Sequence, residues 1–315
     1  MGRRRPVAVV GASRNSGEFV LTCIAGVIVL TVVMFLALAG VGAGLTYYVT
    51  STNNPDEAVN PQSYLLASYI PLSFTDRSGG QHDGWFLLGS RGTPVIILCH
   101  GYNSNRSDLL PLGTVLRDNH FNVYLFNFHG PKARESLSDL GARQASDLMA
   151  AIETVARQPD VNPNRIGLFG TSVGGYAVLV AAEQNSRVKA LVVDNTYSTP
   201  QRMFESQIDR LLGGSSGLFH ALTDAEFRLA TLGSSAYAMP TNLTKLAIVP
   251  KLFIFGRDSP VLAAMTEELY DRAPLPKQAL VMEHSLAGLT TQSETKEYDN
   301  QVLNFFLQKL SLRPN

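Results

Sequence analysis

Short apolar runs alternate with amphipathic ones along most of the chain, and that alternation predicts its elements. Residues 69–74 and 84–88 flank a polar turn through Arg77-Ser-Gly-Gly80, the pattern of a hairpin. Residues 94–98 are apolar, β-branched in part and too few for a helix, so they read as a buried strand. Residues 122–128, 166–169, 188–193, 252–255 and 279–282 read the same way and bring the strands to eight. Between them Ala145, Leu148, Met149, Ile152, Val155 and Ala156 recur every three or four positions, which lays one apolar stripe along a helix. Leu262, Met265 and Leu269 repeat the pattern, as do Tyr298, Val302, Phe305 and Phe306. Strands alternating with helices predict the α/β class: a mostly parallel eight-stranded sheet with helices on both faces.

Two stretches depart from this rhythm. Residues 19–50 contain no Asp, Glu, Lys, Arg or His, and residues 20–39 alone would span about 30 Å of hydrocarbon as a helix. Arg3, Arg4, Arg5 and Arg14 precede the run, and the first basic residue after it is Arg77. That asymmetry predicts a single-pass membrane protein: a cytoplasmic basic tail (1–18), a transmembrane anchor (19–50) and the rest of the chain on the extracytoplasmic side. A secreted product is the competing reading, because Ala37-Leu38-Ala39 resembles a signal-cleavage site; the apolar run is longer than a usual signal core. Gly40 and Gly44 form a GxxxG pair that would give weak self-association through the anchor. Residues 51–67 read as a linker, with Pro55 and Pro61. The second departure is residues 196–250, where Met203, Phe204, Ile208, Leu211, Leu212, Leu218, Phe219 and Phe227 stand among polar residues. So many large apolar side chains predict a helical cap insertion after the sixth strand rather than a disordered loop.

Composition narrows the function classes. Lys plus Arg and Asp plus Glu number 26 each, so no nucleic-acid partner is expected. Two cysteines, Cys23 and Cys99, make no disulfide framework. A glycine-turn pattern at residues 7–17 is a decoy for a nucleotide site, since a membrane-length run follows it instead of an amphipathic helix and a second strand. Asn105-Arg-Ser107 and Asn242-Leu-Thr244 fit glycosylation sequons.

The chemistry gathers at Gly170-Thr-Ser-Val-Gly174, where a short strand meets a helical run with a serine at the tip. Side chains at 170 and 174 would collide with the neighbouring strand and helix, and a serine on so tight a turn presents its hydroxyl above the sheet. Ser172 is thereby the candidate nucleophile, and it needs a base and an orienting acid. Of the six histidines only His220 and His284 follow it; His220 lies in the cap, whereas His284 follows the last strand and is the candidate base. Asp258, three residues past the seventh strand, is the candidate acid that accepts from the imidazole Nδ1–H. Asp194 is the fallback, and Asp271 reads as a helix-end charge. The oxyanion donors are expected to be the backbone N–H groups of Val173 and Tyr102, with Gly101 allowing close approach and His100 structural.

In order and spacing, Gly170-Thr-Ser-Val-Gly174, His100-Gly101, Asp258 and His284 resemble the α/β-hydrolase superfamily over roughly residues 68–315. The compact core, the insertion after the sixth strand and the short HGY loop are most similar to serine-aminopeptidase-like and prolyl-oligopeptidase-like hydrolases, a branch that includes membrane-anchored esterases. The resemblance implies hydrolysis of a small-molecule acyl substrate (ester, thioester or amide) through an acyl-enzyme, with no metal and no cofactor. A serine peptidase is the second enzyme reading, and a non-catalytic scaffold on the same fold the reading from outside enzymes. Two departures border the pocket. After the fourth strand the usual Asp-x-Arg-Gly-x-Gly-x-Ser is replaced by Asn127-Phe-His-Gly-Pro-Lys-Ala-Arg-Glu-Ser136, and the loop before His284 lacks the usual glycines.

Overall fold

The computed structural model describes residues 16–51, 55–64, 69–128, 140–214, 217–231 and 241–310. Arg3, Arg4, Arg5 and Arg14, the glycine turn at 7–15 and most of the departure after Asn127 lie outside the described residues. The eight expected strands are present: β1 (Tyr69–Thr75), β2 (Gln81–Leu87), β3 (Thr93–Cys99), β4 (Asn122–Phe126), β5 (Val161–Thr171), β6 (Val188–Asp194), β7 (Lys251–Gly256) and β8 (Lys277–Met282). They form one sheet in the order β1-β2-β4-β3-β5-β6-β7-β8. β1 and β2 pair antiparallel, β2 joins β4 antiparallel, and from β4 to β8 every pairing is parallel.

The central strands are apolar on both faces because both faces are covered. Val95, Ile97, Leu191 and Val193 point into one core, and Ile96, Leu98, Ala190 and Val192 into the other. Helices α3 (Ala142–Val155), α4 (Val173–Gln184) and α7 (Pro260–Arg272) contribute to the first core; α2 (Leu110–Asp118) and α8 (Gln292–Lys309) contribute to the second. Helix α4 is apolar nearly all round, with Val173 to Ala182 wholly buried, because it is enclosed by the sheet, α3 and the turn after Asn242.

The cap comprises α5 (Pro200–Leu212) and α6 (Gly217–Ala230). Thr199 caps α5 by accepting from the Arg202 N–H, Pro200 supplies a pre-set first turn, and Gly213 ends the helix at φ +69°. Met203, Phe204, Ile208 and Phe227 are buried, and the Phe204 and Phe227 rings stack with centroids 4.5 Å apart. Leu211, Leu212 and Leu218 at the tip are exposed.

The N-terminal apolar run is a single helix, α1 (Ser16–Thr50). It is a candidate membrane span by length and composition, the property that an anchor and a signal sequence share. Its last three turns are docked rather than free: Gly42, Thr46, Val49 and Thr50 are buried on one face. Gly42 is the glycine that packs, since a Cβ there would press on the Glu226 carboxylate; Gly40 and Gly44 have open space around them. Part of the expected linker is also held to the body. The Asn105 side-chain amide donates to the carbonyls of Pro55 and Asp56, and Glu57 pairs with Arg106 at 2.7 Å and accepts from Asn127. Asn105 is thus buried with its amide committed, so in the folded chain it cannot take the glycan its sequon invites. Asn242 is exposed.

Candidate active site

Strand β5 ends at Thr171 and helix α4 begins at Val173, leaving Ser172 alone to turn the chain. It does so at φ +51°, ψ −116°, a conformation that an L side chain adopts only under strain. The strain is over-determined by neighbours. The Ser172 N–H donates to the Asp194 carbonyl at 3.0 Å, and the Thr196 hydroxyl donates to the Ser172 carbonyl at 2.8 Å. A Cβ at Gly170 would run into the backbone of Gly174, and one at Gly174 into the carbonyls of Cys99 and His100. Only glycine lets β5, α4 and the loop after β3 come this close. The hydroxyl-bearing residue itself is part-exposed and therefore reachable.

The expected oxyanion loop lies against this turn. A Cβ on Gly101 would be 3.6 Å from the Ser172 Cβ. His100 is buried, with Nε2 accepting from the Phe128 N–H at 3.1 Å and Nδ1 facing the Gly101 carbonyl at 3.0 Å. Both ring nitrogens are thus engaged by backbone.

The loop after β8 carries the largest difference from the sequence-based expectation. The Asp258 carboxylate does not accept from His284 in this structure. Its Oδ1 takes the Ser285 N–H at 2.6 Å and its Oδ2 the Ser285 hydroxyl at 2.8 Å. The imidazole Nδ1 instead lies 2.9 Å from Oε1 of Glu294 in the first turn of α8. Hydrogen bonds from Thr291, and further ones from His284 and the Thr290–Thr291 backbone, hold the Glu294 carboxyl below the usual range. An ionised carboxylate only accepts, so Nδ1 is the donor in this pair. No hydrogen bond joins Ser172 to His284 among the described residues.

Asp194, the fallback acid, makes no hydrogen bond to His284 either. It is fully buried at the end of β6, where its Oδ2 accepts the Leu286 N–H at 2.8 Å and the Tyr298 hydroxyl at 2.7 Å. Burial pushes its carboxyl up to about 7, against the lowering effect of those two donors. Asp258 and Asp194 therefore grip consecutive residues of the loop that follows His284. Sequence reasoning missed Glu294; the signal was Thr291-x-x-Glu294, a capping box that plants a carboxylate at the start of α8. His220 pairs with Asp209 at 3.0 Å and staples α6 to α5. Asp271 is exposed in the last turn of α7.

Among the described residues, Asp76, His82 and Asp147 form a cluster with metal-ligand chemistry, their ligand atoms lying within 4.8 Å of one another. It is a hydrogen-bonded network. His82 faces the Asn127 carbonyl through Nδ1 at 3.1 Å and Asp76 through Nε2 at 2.9 Å. Burial alone would raise the Asp76 carboxyl, but hydrogen bonds from Ser78, His82 and Gly80 outweigh it and bring it down to about 2. The Asp147 carboxylate on α3 lies 3.7 Å from the same His82 Nε2.

A serine held in strain between a parallel strand and a buried helix, at the centre of this eight-stranded sheet, defines the α/β-hydrolase fold, and the chain has it. Residues 116–209, which include the elbow, match the model of the prolyl oligopeptidase family. Among curated proteins, the chain is 28% identical over 270 residues to the uncharacterized protein YfhR of Escherichia coli O157:H7, covering 82% of this chain and 86% of YfhR. It is 26% identical over 129 residues to the thiohydrolase aneE of Aspergillus aculeatus, covering 40% of this chain and 41% of that one. Among solved structures, an esterase of Pyrococcus furiosus superposes with a TM-score of 0.64 at 18% identity, covering 84% of this chain and 99% of the esterase.

Proposed function

We propose that the protein is a membrane-anchored serine hydrolase that cleaves ester or thioester bonds through an acyl-enzyme on Ser172. The observation that carries this reading is the strained Ser172 turn with the 100–102 loop packed against it. In the proposed cycle the Ser172 hydroxyl attacks the acyl carbonyl and gives its proton to Nε2 of His284. The tetrahedral oxyanion sits between the N–H groups of Val173 and Tyr102. On collapse the leaving alcohol or thiol takes the proton from His284; a water activated by the same nitrogen then releases the acid and restores Ser172. Glu294 supports the tautomer that this cycle needs, and Asp258 and Asp194 hold the loop that carries the base. Substrate binding draws His284 onto the hydroxyl, since such bonds tighten in the reactive complex. Residues 68–315 form the catalytic domain and 196–250 its cap, and α1 holds both to the bilayer with the N-terminus cytoplasmic.

The names of the esterase and thiohydrolase among the similar proteins favour an acyl ester or thioester over a peptide. The prolyl oligopeptidase match keeps a peptidase as the second reading. A fluorophosphonate probe tests the nucleophile: wild type is labelled and Ser172→Ala is not. Label on Ser172→Ala removes Ser172 from the mechanism. Short and long p-nitrophenyl esters assayed beside aminoacyl-anilides then separate esterase from peptidase.

A further inference from the structure

The C-terminal turns of α1 reach the catalytic loop. Ala39, Gly42, Leu45, Thr46, Val49 and Thr50 follow the three-and-four spacing of one helix face, and all are buried or part-buried. That face packs on α6, where Glu226 lies against Gly42 and accepts from the Thr46 hydroxyl at 3.5 Å. At the end of the helix the Val49 carbonyl is beyond the reach of an intrahelical donor, because carbonyls of the last turn have none. The Tyr102 phenol fills the gap, donating to it at 2.7 Å.

Tyr102 is also the residue whose backbone N–H the proposed mechanism uses. Its side chain is held at the far end by the apolar helix, and its backbone follows Gly101, which packs on Ser172. An aromatic side chain has two rotatable bonds, so fixing the phenol oxygen restricts the orientation of the peptide that bears it. Donors in an oxyanion hole act through pre-set direction, and small misplacement is costly.

From this geometry we infer that the Tyr102 phenol is a positioning group through which the end of α1 sets the oxyanion donor. The N-terminal helix is then part of the catalytic apparatus as well as an anchor. The inference rests on the serine-hydrolase reading.

The test uses the full-length chain with ester substrate. Tyr102→Phe keeps the ring and removes the bond; kcat should fall about tenfold, short of the 10²–10³ that loss of a donor costs, with KM within about twofold. Gly42→Leu displaces Glu226 from α1 without touching Tyr102 and should lower kcat to a similar degree. The double variant should be no worse than either single one, since both break one coupling. Wild-type kcat in Tyr102→Phe, or losses that multiply in the double variant, overturns the inference. If the fluorophosphonate probe leaves the wild type unlabelled, the hydrolase reading fails by itself, and hydrogen exchange at the 100–104 amides still reads the coupling. Tyr102→Phe must speed that exchange; unchanged exchange overturns the proposal on its own.

Discussion

His284 places Nδ1 2.9 Å from a carboxylate oxygen of Glu294, ten residues further along and on a different element. The other oxygen of that carboxylate closes the N-terminal cap of α8 through Thr291. One side chain thus ties the candidate base to the end of a helix. Glu294→Gln keeps the cap, because glutamine serves equally in a capping box, but it can offer the imidazole an N–H instead of an acceptor. We expect kcat/KM to drop roughly 10²-fold, within the range attributed to general-base catalysis, with little change in thermal midpoint. A pH–rate profile of Glu294→Gln beside Asp258→Asn checks this. Should Asp258→Asn be the crippled variant and Glu294→Gln remain near wild type, Asp258 is the orienting acid after all.

The glycines of the elbow carry a steric prediction. Gly174→Ala sets a methyl against the carbonyls of Cys99 and His100, backbone atoms that cannot rotate aside. Overpacking of this kind costs about 1–3 kcal/mol, and the upper end is expected here. Urea unfolding should show a lowered midpoint at an unchanged slope. Wild-type stability would mean that the loop after β3 yields more easily than its packing implies.

Asp194 sets a pH dependence. Burial raises its carboxyl to about 7 in the fold, against about 4 in an unfolded chain. Between these values the native state binds more protons than the unfolded one, so stability falls as pH rises through the window, by up to about 4 kcal/mol. Asp194→Asn should flatten that slope in chemical denaturation between pH 4 and 7. Asp299, which burial pushes up to about 6, acts in the same direction and persists in the variant, so a residual slope is expected. Asp76 works with the opposite sign and below this window. Parallel slopes for wild type and variant would sink the assignment.

The anchor reading is checked at the N-terminus of the mature protein. Sequencing of the membrane-bound form should begin ahead of Phe19. A start near Gly40 would establish cleavage, and residues 40–50 would remain as a docked helix on the cap.

Local pattern was enough for much of this protein. Eight strands, the buried helix after Ser172 and the cap were legible because burial on two faces writes continuous apolar runs, and burial on one face writes a helical stripe. The glycines at 170 and 174 announced the elbow because no other residue fits there. What pattern could not decide was which distant groups meet. Asp258 stood where an orienting acid belongs, yet Ser285 takes both its oxygens, and the imidazole reaches Glu294 instead. Nothing in residues 19–50 told which turns face solvent or bilayer and which lie on α6, since apolar composition serves both. The Val49–Tyr102 bond, between residues 53 positions apart, exists only because the end of α1, docked on α6, meets the loop after β3 in the assembled chain. Hydrogen-bond partners are chosen by distance and direction in the assembled chain, and sequence spacing carries neither.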